Sequence, residues 1–231
     1  MMFQDPVASL SPRLTVKSLI TEPFVIHGMK GKDLGAGGAS PAGACGAAGG
    51  FRRPLSAPAV GGQARRVGVA RALALSPSSS SPDEPTAGLD VSVQGEILNL
   101  LARLQRELGL TYLIITHNLA VVRHVSDEMA IMYMGRFLEH GPTRDIFAQA
   151  AHPYTHGLLA CPAAPRPRSA ARQYVELQGE VPSLAHRPSG CEFHTRCPRA
   201  RELCRSARPE RQTLAPGHDH RRHFPLVDAA A

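Results

Sequence analysis

Apolar positions recur at helical spacing in two long windows. Across 64–75, Val67, Ala70, Leu73 and Ala74 share one face, with Arg65, Arg66 and Arg71 directed elsewhere. Across Val91–Leu108 the stripe is Ile97, Leu101, Leu104 and Leu108, with Arg103, Arg106 and Glu107 outside it, and Gly109 is placed to stop the helix. The pattern then changes. Thr111-Tyr112-Leu113-Ile114-Ile115-Thr116 is a short β-branched apolar run, the form of a strand in a sheet covered on both faces. Leu119–Val125 reads as a helix, 129–134 as a strand, Gly135-Arg136 as a turn, 137–139 as the returning hairpin strand, and 143–150 as a short helix. Helices interleaved with strands make this an α/β chain.

Other stretches carry no such pattern. Val16–Ile26 is apolar, whereas 31–50 is a Gly/Ala-rich run with few side chains able to build a core, and little regular structure is expected over 31–60. Ser76 to Pro82 reads Ser-Pro-Ser-Ser-Ser-Ser-Pro, poor as helix and poor as strand, and Pro82 lacks the N–H that a central strand donates. Beyond residue 150 the texture turns to Pro, Arg, His and Cys, so the expected division is 1–150 and 151–231, the second part an appended Cys/His module.

Composition narrows the classes. No apolar run approaches the roughly 20 residues of a membrane-spanning helix, which with the unexceptional start points to a cytoplasmic protein. The formal charge is +7, and residues 161–231 hold twelve Arg and no Lys against seven acidic residues. Arginine scattered among Pro and His without interleaved aromatics does not make a nucleic-acid surface, so no nucleic-acid partner is expected. Five cysteines, an odd number, argue for thiols that are buried or metal-bound rather than a disulfide framework.

The chain is organised around Asp83-Glu84-Pro85-Thr86-Ala87-Gly88-Leu89-Asp90. Two adjacent carboxylates before a tight turn can divide labour, Asp83 holding Mg²⁺ and Glu84 polarising an attacking water; an acidic turn that merely caps the next helix has the same appearance. His117 follows the best strand at the sheet edge where α/β proteins bind ligands. Gly61-Gly62-Gln63 opens a helix, where backbone N–H groups can approach an anion, or simply make a turn.

Together and in this order, these features resemble the ATP-binding subunits of ABC transporters, in the oligopeptide and dipeptide importer branch. The resemblance implies an incomplete ABC-type nucleotide-binding domain, a partial sheet flanked by helices. In it Phe3-Gln4-Asp5-Pro6 corresponds to the glutamine loop, with Gln4 touching Mg²⁺, and Gly61, Gly62 and Gln63 to the end of the signature motif facing a nucleotide on the opposite subunit. Asp83 corresponds to the Walker B metal ligand, Glu84 to the catalytic base, Asp90 to the loop crossing the dimer, and His117 to the switch histidine. The implied cofactors are ATP and Mg²⁺. The implied partners are transmembrane permease subunits and a second ATP-binding subunit, identical or different, at the cytoplasmic face of the membrane. His152-Pro153-Tyr154-Thr155, Gly179-Glu180-Val181-Pro182-Ser183 and the Cys191 to Pro198 stretch resemble the branch's C-terminal extension, whose four cysteines hold an iron–sulfur cluster in some members. Here Cys191, Cys197 and Cys204 remain and Arg222 stands at the fourth place, which leaves a cluster, a Cys₃His zinc site completed by His218, His220 or His223, and three packed thiols as alternatives.

Four departures weigh against turnover by this chain alone. It contains no Gly-x-x-x-x-Gly-Lys-Ser/Thr loop to cradle phosphates, and Ala59-Val60 replaces the serine expected before Gly61. The Gly/Ala run occupies the place of permease-docking helices, and serines replace the apolar strand expected before Asp83.

Overall fold

A computed structural model gives the fold and describes residues 2, 9–11, 13–29, 45–46, 61–160 and 177–226. Gln4, Val60 and nearly all of the 31–60 run lie outside the described residues. The chain divides into two compact units, Met1–His117 and Asn118–Ala231.

In the first unit, helices α1 (Val16–Ile26), α2 (Gly61–Leu73) and α3 (Val91–Leu108) enclose the core. Thr15 starts α1 by accepting from the Ser18 amide, and Leu19 and Ile20 turn inward. They meet Val67, Ala70 and Leu73 of α2 and Ile97, Leu100, Leu101 and Leu104 of α3, all buried. The α3 boundaries are those the sequence implies: Asp90 Oδ1 accepts from the Val93 amide at 2.9 Å, and Gly109 closes the helix at φ 64°. One expected core position differs. Leu108 is 48% exposed, because the last turn of α3 runs past the core.

Beside these helices, β1 (Ser79–Ser80) and β2 (Thr111–Tyr112) pair in parallel. The pairing continues past both: Leu113 and Ile115 amides donate to the Ser80 and Pro82 carbonyls, and the Met2 amide donates to Ser81 from the other side. The serine run is therefore a strand after all, flanked by neighbours that satisfy its backbone whatever its side chains prefer. Pro82 is buried there, and the ladder bond it cannot donate has a substitute: Ser81 Oγ donates to the Leu113 carbonyl at 3.3 Å.

In the second unit, α4 (Leu119–Val125) precedes the hairpin of β3 (Glu128–Tyr133) and β4 (Arg136–Pro142), turned at Gly135 with φ 77°. Met129, Ile131 and Tyr133 alternate inward along β3. Helices α5 (Thr143–Ala148), α6 (Pro153–Ala160) and α7 (Glu202–Ser206) follow, then β5 (Arg211–Ala215) and β6 (His218–Arg221). The sheet order is β3-β4-β6-β5, with Glu139 opposite His220, so the C-terminal hairpin extends the earlier one. Buried Glu139 fastens this join. Its carboxylate accepts from the amides of Ala151 at 2.7 Å and His152 at 3.0 Å, and from His218 Nε2 at 2.8 Å.

Candidate functional site

The parallel strands end together at Asp83 and Ile115, which are bridged, and the chain leaves the sheet at once in the turn 84–89. The Asp83 amide donates to Met2 and the Glu84 amide to Ile115, so both carboxylates are carried by backbone that the sheet holds in place. Glu84 adopts φ 46°, a left-handed conformation that costs a non-glycine residue about 1–3 kcal/mol and persists only where its surroundings fix it.

Those surroundings are visible on both sides. Toward β2, Glu84 Oε1 accepts from the His117 amide at 3.0 Å and from His117 Nδ1 at 2.5 Å, while Oε2 accepts from the Thr116 hydroxyl at 3.1 Å. Toward α2, Arg65 donates to the Glu84 carbonyl at 3.0 Å and to the Ala87 carbonyl. Arg65 is 5% exposed, unlike the outward arginine its helical position suggests. Helix periodicity places it off the apolar stripe, and only the approach of the 84–87 turn provides carbonyls for it to enter.

Burial works to raise the Glu84 carboxyl, but the hydrogen bonds from the His117 ring, the His117 amide and Thr116 outweigh it and hold the group below the ordinary carboxylate value. Glu84 is thus ionised at neutral pH. Because Nδ1 bonds a carboxylate that can only accept, Nδ1 carries the proton and Nε2 is directed outward as the free nitrogen, on a side chain 85% exposed. Asp83 pairs with no cation among the described residues, so its hard oxygen donors at a strand end suit Mg²⁺. The structure therefore brings Asp83, Glu84 and His117 together, with Thr116 and Arg65 as supports that the sequence did not single out.

The remaining candidates stand differently. Asp90 serves as the α3 cap. Gly61 and Gly62 begin α2, and Gln63 beside them is exposed. Cys191, Cys197 and Cys204 do share a cavity in the second unit. However, among the described residues no group of three or more His, Cys, Asp or Glu is assembled to hold a metal ion. Two histidines proposed as a fourth ligand are engaged elsewhere: His218 on Glu139, and His223 Nε2 on the Ala207 carbonyl at 2.9 Å.

Comparison with known proteins finds relatives over most of the chain. A family model described as the oligopeptide/dipeptide transporter C-terminal region matches residues 138–204. The chain is 43% identical over 228 residues to the oligopeptide transport ATP-binding protein AppF of Bacillus subtilis, covering 94% of this chain and 67% of AppF. It is also 43% identical over 240 residues to the peptide ABC transporter ATP-binding protein y4tS of Sinorhizobium fredii, covering 100% of this chain and 65% of that protein. Among solved structures, CbiO1 of Clostridium perfringens, part of the ABC transporter complex CbiONQ, superposes with a TM-score of 0.55 at 30% identity, covering 64% of this chain and 58% of CbiO1. The chain spans about two thirds of the length of the curated relatives it matches.

Proposed function

Since the chain belongs to the ATP-binding subunits of oligopeptide ABC transporters, we propose that it serves as such a subunit, binding MgATP and energising peptide passage through a membrane. It works at the cytoplasmic face with transmembrane permease subunits and a second ATP-binding subunit. No helix among the described residues is long and apolar enough to cross a membrane, which agrees with a peripheral position. Asp83 and Gln4 hold Mg²⁺, which when bound neutralises charge on the phosphates. Glu84 accepts the proton of the attacking water, and His117 presents Nε2 toward the γ-phosphate. Gly61, Gly62, Gln63 and Asp90 face the nucleotide of the opposite subunit. The functional division runs at residue 150, with 151–231 as the importer-type extension.

The observation that carries this reading is the Glu84 carboxylate, ionised at the end of the parallel strands and held by Thr116 and His117. The test is phosphate release from MgATP by the chain assembled with its permease and second subunit. Glu84→Gln is expected to lower turnover by about 100-fold or more while nucleotide binding stays near wild type.

A second reading is favoured by Ala59-Val60 standing where the family resemblance places a serine before Gly61. In it the chain is a regulatory pseudo-subunit that hydrolyses nothing itself. Unchanged turnover in Glu84→Gln, with transport lost when the chain is omitted, selects this second reading over the first.

A further inference from the structure

In the second unit a small cavity is lined by Cys191, Cys197, Cys204 and Arg222. All three cysteines are free. The site does not suit a metal. Arg222 is 6% exposed, donates from Nη1 to the Ala151 carbonyl at 3.1 Å, and puts a fixed positive charge where a cation would have to sit. Its own ionisation is made harder by burial and favoured by the neighbouring Cys197, Cys204 and Cys191, so the guanidinium and the thiols act on each other at close range.

The backbone arranges two of these thiols for a different chemistry. The Cys191 amide donates to the carbonyl of Cys204, in α7, at 2.8 Å. Such a bond holds the two Cα atoms within roughly 6 to 7 Å of each other, at the reach of a disulfide. Gly190 makes the approach feasible. It sits at φ 64°, and a Cβ there would lie 2.5 Å from the Cys204 carbonyl oxygen and 2.7 Å from Arg205 backbone atoms. Both cysteine side chains line the same cavity, so their sulfurs face a common space, and Cys197 adjoins them from the half-buried rim.

We propose that Cys191 and Cys204 form a metal-free dithiol that closes reversibly to a disulfide, with a hydroperoxide as the oxidant. One thiol sulfur attacks the peroxide O–O bond, giving a sulfenic acid and one water (or alcohol). The second sulfur attacks the first and displaces hydroxide, which leaves as water with the second thiol proton. Each sulfur gives up one electron and the peroxide takes two. Arg222 lines the same cavity and brings a positive charge to it. Burial raises the Cys191 thiol against this, which suits a pair that answers sustained oxidant and disfavours rapid peroxide turnover.

The experiment uses the whole chain, purified reduced and treated with hydrogen peroxide, then alkylated, digested without reductant and mapped by mass. The expected result is a Cys191–Cys204 cross-link, two mass units below the reduced pair and opened by dithiothreitol. Cys197→Ser should retain the link and Cys204→Ser should lose it, with circular dichroism checking that each variant folds. Metal analysis of the untreated protein is expected to give less than about 0.1 equivalent of zinc or iron. A link through Cys197, no link in the wild type, or stoichiometric zinc or iron overturns the proposal.

Discussion

Glu84 and His117 stand at pattern breaks visible in the sequence, Glu84 in an acidic pair before a turn and His117 just after an apolar run. Arg65 and Thr116 were not legible in this way, since nothing in their immediate sequence distinguishes a gripping arginine or a supporting threonine from solvated ones. His152 shows how far burial can change a residue's chemistry. It is 1% exposed, its Nδ1 accepts from the Tyr154 amide at 3.1 Å, and its ring lies 5.5 Å from that of Phe193. Burial first, then the charges of Arg222 and His220, lower its pKa from the ordinary 6.5 to about 3. The unfolded ring takes up a proton below 6.5 and the folded ring refuses one until about 3, so this contribution is complete above 6.5 and is lost as pH falls through that window. Buried His220, also lowered, adds the same sign. Urea unfolding at pH 7, 6 and 5 should show stability falling by up to about 1.4 kcal/mol per pH unit from His152. In His152→Asn, which keeps a capping acceptor without titrating, the slope should be smaller and the stability at pH 7 lower by about 1–3 kcal/mol.

Among the elements, α3 matched its sequence signature because its cap, its apolar stripe as far as Leu104 and its terminal glycine all agree. Two glycines in and after it separate the effects of backbone freedom. Gly109 holds φ 64° with open space around it, so Gly109→Ala should cost about 1 kcal/mol through strain alone. Gly95 lies inside the helix with nothing within 4 Å of an added Cβ, and Gly95→Ala should gain about 0.5–1 kcal/mol. Thermal unfolding of both variants checks the opposite signs. The strand through Ser79 and Ser80 ran the other way, since local preference argued against it. Bonds from Met2, Leu113 and Ile115 outside the run decided its conformation, with the Ser81 hydroxyl standing in for the missing Pro82 donor.

For the molecule as a whole, the apolar run after α3 predicted a strand covered on both faces, yet among the described residues β2 has a pairing neighbour on one side only. Leu113 is 68% exposed and Ile115 49%. An apolar edge of this kind recruits other edges, so the chain should self-associate with rising concentration. Leu113→Lys should reduce light scattering at high concentration by several-fold, with little change in unfolding midpoint; unchanged scattering would place the sticky surface elsewhere. The C-terminal hairpin teaches the complementary lesson, because its polar His218-Asp219-His220-Arg221 carries no apolar strand pattern but pairs as the third strand of a sheet against β4. What the sequence determined by itself was periodic or punctuated: helix faces, caps, turns and the acidic corner, all set by neighbours a few residues away. Tertiary structure alone decided the grip of Arg65 on the 84–87 turn, the burial of Glu139 between His218 and two amides, and the meeting of Cys191 with Cys204. Each requires partners brought together from distant positions, and burial rather than residue type then fixes their protonation and reactivity.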